Sequence, residues 1–206
     1  MDAPITLSGA ITFNISNVRA ALAVLHGLGI SVDLIPNGIS TFHPNATQNP
    51  GRMNIIDFVT FRVLLDYGHN VPAGKATANT LPHITKVQKI PLVHGTGNRL
   101  DEGIKVLGAT LTQVYDHLIV NDADPRQRDL GETPELVRTD ALENWLSVNN
   151  LEVVCDPYEA IDRAFSIVRS GDLIVVQIDA MSPMHKRAME HFERIVGTLS
   201  LRMLSS

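Results

Sequence analysis

The sequence predicts a doubly wound α/β fold built on a mostly parallel sheet of about six strands flanked by helices. Three observations carry this. From Met53 onward, short apolar runs alternate with longer stretches of helical periodicity. Runs such as Leu173-Ile174-Val175-Val176 are apolar without interruption, as strands of a parallel sheet covered on both faces require. Polar and flexible residues gather directly after two of the runs, at Asp66–Asn70 and at Gly95–Leu100, where such sheets bind their ligands.

The strands are expected at 54–58, 61–67, 90–94, 117–121, 151–156 and 172–178, with right-handed crossovers between the parallel ones. Helices are expected at 72–86, 101–116, 133–148, 158–170 and 183–199. Asp156-Pro157 and Ser182-Pro183 supply a cap and a first-turn proline for two of them. Gly171 is expected to close the fourth as a left-handed residue.

The first fifty residues read differently. Asn17–Leu28 is rich in Ala and Leu at helical spacing, with Gly29 as a stop, and 32–42 is a second short apolar-periodic segment. The stretch His43–Gly51 then collects two prolines, polar amides and a Pro-Gly turn, which makes it a linker. Two short helices cannot bury their apolar faces alone, so this part must lean on something else.

Composition narrows the function. The 206 residues are 44% hydrophobic and 19% charged, enough for a sizeable core. A net charge of −5 argues against a nucleic-acid binder working by phosphate neutralisation. No apolar run approaches the ~20 residues of a membrane span, and no leader opens the chain, so a cytoplasmic protein is expected. Cys155, the single cysteine, forms no intramolecular disulfide and sits in an apolar run that suits a small hydrophobe. The eight histidines show no zinc-like spacing, and no metal site is expected.

Asp66-Tyr67-Gly68-His69-Asn70 is the richest cluster. Asp66 could accept from a ribose hydroxyl or a cation's water, and His69 and Asn70 could donate to a phosphate or acyl phosphate; the same residues also suit a capped strand-to-helix turn. Gly74-Lys75-Ala76-Thr77 resembles the end of a phosphate loop, but the pattern needs Gly at 69 and Ser or Thr at 76. Gly95-Thr96-Gly97 starts like a dinucleotide fingerprint and then fails at Leu100, which favours a plain strand-to-helix loop, with Asn98 and Arg99 still placed to meet a substrate. Arg52, beside the Pro50-Gly51 turn, could hold a phosphate bidentately or be a surface arginine at a hinge. The loop carrying Asp122, Asp124, Arg126 and Arg128 reads as a solvated mixed-charge loop rather than a Mg²⁺ site.

Taken in order, these segments resemble the end of a Mur ligase, and most of all a cyanophycin synthetase. Leu7–Gly9 with Phe13–Asn17 and Ala20–Ala23 resembles the asparagine motif that ends the family's ATPase domain. Asn49-Pro50-Gly51-Arg52 resembles its hinge, Asp66–Asn70 its hallmark at the start of the C-terminal domain, and Asp101-Glu102 with Arg126–Glu132 the cyanophycin branch. The resemblance implies a domain division at 1–52, the tail of the central ATPase domain plus hinge, and 53–206, a Rossmann-like C-terminal domain. It implies Asn14 and Asn17 near the adenine and ribose, Arg52 near the γ-phosphate, Asp66 at the ribose, and His69 and Asn70 facing the acyl phosphate and amine. The reaction implied is activation of a carboxylate by Mg·ATP, Mg²⁺ and ATP being needed by the complete enzyme, then attack by an amine to form an amide, as on an Asp/Arg peptide.

Two departures from the family stand out. This chain has one extra residue between Asn70 and Gly74, and the resemblance places the phosphate loop, Mg²⁺ ligands and catalytic lysine outside these residues. The chain is thus expected to be inactive alone, its partner being the ATPase domain. The competing expectation is a stand-alone, non-catalytic module that binds a substrate or partner, with the surface around Asn14 and Asn17 satisfied internally or by self-association as a homo-oligomer. A nicotinamide-binding domain is disfavoured by Leu100.

Overall fold

The computed structural model describes residues 3–45, 47–68, 70–84, 87–115, 117–144, 147–177 and 190. Its sheet has six strands: β1 (Asn54–Asp57), β2 (Arg62–Asp66), β3 (Lys89–His94), β4 (Leu118–Asn121), β5 (Leu151–Val153) and β6 (Leu173–Gln177). They lie side by side as β1-β2-β6-β3-β4-β5, with β1 antiparallel to β2 and every other neighbour parallel. The expected mostly parallel α/β sheet is the observed one, and every strand falls on its expected stretch, β3 starting one residue early.

Strand periodicity sorts the apolar residues onto two faces. Val63, Leu65, Ile90, Leu92, Ile119, Ile174 and Val176 face one side, where Ala160, Ile161 and Ala164 of α6 (Pro157–Ile167) and the stacked pair Phe58 and Phe61 cover them. Leu64, Val93, Leu118, Val120, Leu173 and Val175 face the other side, under α3 (Val71–Ile84), α4 (Asp101–Thr112) and α5 (Glu132–Glu143). Alternate residues of the central strands are therefore buried on opposite faces, and the strands read as unbroken apolar runs.

Local signals explain most of the helix limits. Asp156 caps α6 by accepting hydrogen bonds from the Tyr158 and Glu159 amides, with Pro157 in the first turn. The expected role of Gly171 needs correction: α6 stops at Ile167, and Gly171, at φ +90°, shapes the turn into β6 and donates its N–H to Thr60 O at 2.6 Å. Helix α4 ends at Thr112 rather than 116, because the chain turns to bury Tyr115 in the core. Gly108 lets α4 approach α5: a Cβ there would lie 2.5 Å from Val137 O. The helix expected at 183–199 lies outside the described residues.

Helix α1 spans Thr12–Gly27, starting five residues before the expected Asn17, and α2 is Ile35–Ser40. Ahead of them lies a 3-10 turn, Pro4–Thr6, and Leu7, Ile11 and Phe13 pack against the α3–α5 face of the core. Only the start of the N-terminal segment is anchored in this way. Of the sixteen residues of α1, Asn14 alone is buried, and Val24 and Leu28 stand 61% and 72% exposed.

Candidate functional site

Four of the five parallel strands end in polar residues: Asp66 on β2, Gln177 on β6, His94 on β3 and Asn121 on β4, all buried. Register sets Asp66 beside Gln177 and His94 beside Asn121. Gln177 accepts a hydrogen bond from the His94 amide at 3.1 Å and donates from Nε2 to Gly68 O at 3.0 Å, and Asn121 donates to Val93 O. The carboxyl edge of the sheet is stitched together by side chains of the strands themselves.

Asp66 is the hub. Its Oδ1 accepts from the Met53 amide at 3.0 Å, and its Oδ2 from the Gly68 amide at 3.1 Å and the Thr77 hydroxyl at 3.0 Å. Burial pushes its pKa above the usual carboxylate value, opposed by these three hydrogen bonds and by the nearby Arg52 charge. A carboxylate offers about four lone-pair sites, so three donors leave little of it free.

The hinge is built around the same carboxylate. Gly51 and Met53 both adopt positive φ, +67° and +53°, so the chain reverses twice around Arg52. For Met53 that conformation is strained, and it is held by the bond to Asp66 and by complete burial of the methionine side chain. Asn54 clasps the turn, accepting from the Gly51 amide at 2.7 Å and donating to the carbonyls of Asn49 and Arg52. Arg52 is thereby turned outward, its guanidinium 4.4 Å above the Tyr67 ring, with no salt bridge to a described residue.

Asn14, in the first turn of α1, donates to Ile5 O at 2.7 Å and accepts from Asn17 at 3.1 Å. Asn70 caps α3: its Oδ1 accepts from the Ala73 amide at 3.0 Å, leaving the side-chain NH₂ to donate elsewhere. The extra residue noted in the sequence, Val71, is absorbed as the first residue of α3.

Asn14, Asn17, Arg52, Asp66 and Asn70 line one cleft of about 520 Å³, together with Asn49, Gly68, Ala73 and Thr77. Five residues from three separated segments thus meet in one place. His69 lies outside the described residues. Asn98 and Arg99 are exposed on the β3–α4 loop and are not among the residues lining the cleft. That loop owes its glycines to packing, since a Cβ on Gly97 would lie 1.9 Å from Pro125 O. Arg128 locks it, donating to the carbonyls of Gly97 and Arg99 and pairing with Asp101 and Glu132. Asp122 accepts from the Gly131 amide on one oxygen and from the Thr133 hydroxyl on the other, and so pins the start of α5. Among the described residues no group of His, Cys, Asp or Glu is arranged to hold a metal ion. No helix of the described residues is long and apolar enough to cross a membrane.

Sequence reasoning named Asn49 only within the hinge motif, without a site role, and missed Asn54 and Gln177. Asn54 and Gln177 lie inside strand-like runs, and nothing in the local pattern separates a clasping amide from an ordinary strand residue.

The fold is an α/β domain with polar residues gathered at the carboxyl edge of its sheet, and comparison with known proteins says which family it belongs to. The chain belongs to the family described as Mur ligase, glutamate ligase domain, whose profile matches residues 51–177. It is 34% identical over 174 residues to the cyanophycin synthetase of Geminocystis herdmanii (strain PCC 6308), covering 84% of this chain and 20% of that protein. To the cyanophycin synthetase of Synechocystis sp. (strain ATCC 27184 / PCC 6803 / Kazusa) it is 34% identical over 180 residues, 87% of this chain and 20% of that protein. The chain spans about one fifth of the length of these curated relatives. Among solved structures, E. coli FolC in complex with DHPP and ADP shares the fold with a TM-score of 0.66 at 21% identity, over 86% of this chain and 39% of that one. A pseudomurein peptide ligase type C from Methanothermus fervidus does so with a TM-score of 0.64 at 22% identity, over 87% and 36%.

Proposed function

We propose that the chain is the C-terminal part of an ATP-dependent amide ligase of the cyanophycin synthetase kind, working through an acyl phosphate and inactive until the rest of the enzyme completes its site. The observation that carries this reading is the convergence of Asn14, Asn17, Arg52, Asp66 and Asn70 on one cleft. The division into 1–52, tail of the ATPase domain plus hinge, and 53–206, C-terminal domain, belongs to the same reading.

The cleft suits part of a nucleotide site. Arg52 offers an outward guanidinium for a phosphate. Asn17 is exposed, and Asn70 keeps its NH₂ free to donate. Asp66, its carboxylate largely taken, acts chiefly by fixing the hinge and the loop, and the lone pair its donors leave reaches a ribose directly or through a water. Its oxygens are poor candidates for Mg²⁺, which the remainder of the enzyme would hold. His69 and Asn70 face the acyl phosphate and amine in this reading, and Asn98 and Arg99 the Asp/Arg peptide from the separate β3–α4 loop. In such a reaction the protein's share is positioning and charge stabilisation.

The other reading, a stand-alone binding module, expects the surface beside Asn14 and Asn17 to be satisfied internally. A groove of about 460 Å³ between α1 and α2, lined by Leu22, Leu25, Leu34 and Phe42 and bordered by the same two asparagines, favours the incomplete-enzyme reading. The test replaces the corresponding part of a cyanophycin synthetase with this chain and measures Mg·ATP-dependent addition of arginine to an Asp/Arg peptide. An active chimera that loses at least tenfold in rate on Arg52→Ala, as removal of one phosphate-stabilising group should cause, supports the reading. A folded chimera without activity, or an active one indifferent to Arg52→Ala, refutes the assignment.

A further inference from the structure

Beneath the cleft lies a smaller cavity of about 20 Å³, sharing Asp66, Gly68 and Thr77 with it and bounded below by Tyr115 and Gln177. Its other walls are apolar, from Leu92, Leu107 and Leu111 among others. Tyr115 is only 4% exposed, and its hydroxyl makes no hydrogen bond to a described residue. A buried tyrosine hydroxyl normally finds a partner, because leaving it unpaired forfeits the hydrogen bond it had with water. One water molecule needs roughly 10–15 Å³ of such space and two to four polar partners. This cavity has the room and, in Asp66, Gln177 and Tyr115, the partners.

We propose that the cavity is a specific site for one buried water, which joins the Tyr115 hydroxyl to Asp66, a lining residue of the cleft, and to Gln177 beside it, and that Tyr115 is thereby a positioning residue for the Asp66 hub. The chemistry is balanced. Asp66 carries three protein donors and only acceptor oxygens, so it takes a proton from the water. The Gln177 amide is spent on His94 and Gly68, leaving a spare lone pair on its Oε1 as a second acceptor. The phenol of Tyr115 then donates to the water oxygen. Burial and the adjacent carboxylate both push the Tyr115 pKa up, so it keeps the proton it donates. The inference concerns this chain's own interior and holds whatever substrate the cleft takes.

Two measurements test it on the intact chain. A crystal structure at high resolution should show one ordered water within hydrogen-bond distance of the Tyr115 hydroxyl and of Asp66 or Gln177; an empty cavity, or a hydroxyl bonded directly to the Asp66 carboxylate, overturns the proposal. Tyr115→Phe keeps the ring and removes only the link. In that variant the Met53 and Gly68 amides, which hold Asp66, should exchange with solvent about tenfold faster, and the Asp66 carboxyl should titrate at a higher pH by NMR. Unchanged exchange and titration in a folded Tyr115→Phe protein would show that the tyrosine fills space only.

Discussion

At the scale of single residues, the site is held by Asp66 and Asn54, two buried polar side chains that contribute contacts to backbone rather than to one another. Burial raises the pKa of Asp66, so the folded state binds its proton more tightly than the unfolded chain does. The stability from this group is therefore fully present below the unfolded value of 3.8 and is lost as pH rises through the higher folded value. Asparagine mimics the protonated acid, so Asp66→Asn is expected to match the wild type most closely in acid and to gain stability over it as pH rises through the raised value, as urea denaturation across pH would measure. A wild type that instead gains stability over the variant with rising pH would mean that the hydrogen bonds of the ionised form outweigh its burial. At this scale the sequence was half legible: Asp66 and Arg52 stand out by type and position, but the donors that occupy Asp66 come from residues 53, 68 and 77, and no local pattern announces such a meeting.

At the scale of elements, two close approaches decide how the loops around the sheet edge sit. Gly97 packs against the Pro125 carbonyl, and Gly108 packs against Val137 O and the Ala141 amide, seating α4 on α5. Gly108→Ala must therefore push the two helices apart and is expected to cost about 1–3 kcal/mol despite alanine's better helix propensity. A thermal melt would check it, and an unchanged or raised midpoint would show that the helices can shift freely. The glycines of 95–97 read from sequence as a plain strand-to-helix loop, because Leu100 breaks the dinucleotide pattern. Their actual use, letting one loop lie against another, depends on a neighbour some thirty residues away and is invisible locally.

At the scale of the whole molecule, the α/β domain is self-supporting while the N-terminal helices are only partly so. The two faces of the sheet bury their apolar residues within the chain. Helix α1 is apolar in composition yet buries only Asn14. Replacing Val24 and Leu28 together by lysine is expected to change folding stability by less than about 0.5 kcal/mol, since both are exposed, and to raise solubility by breaking an apolar surface. Equilibrium denaturation and light scattering would read the two effects; a large loss of stability would mean that α1 packs on the domain more closely than its exposure indicates.

The sequence by itself determined the class of fold, the place of nearly every strand, the capped start of α6 and the family, because apolar periodicity, cap residues and ordered motifs are properties of neighbours along the chain. It also indicated Asn14, Asn17, Arg52, Asp66 and Asn70, five of the residues that line the cleft. Only the tertiary structure decided that they share one cleft, that Asp66 spends most of its hydrogen bonds on the protein while Asn70 caps α3 and keeps its NH₂ to donate, that Asn98 and Arg99 stand apart, and that Asn54, Gln177 and Tyr115 support Asp66 and its neighbours. Those facts rest on strand register and chain reversal, which bring together residues dozens of positions apart.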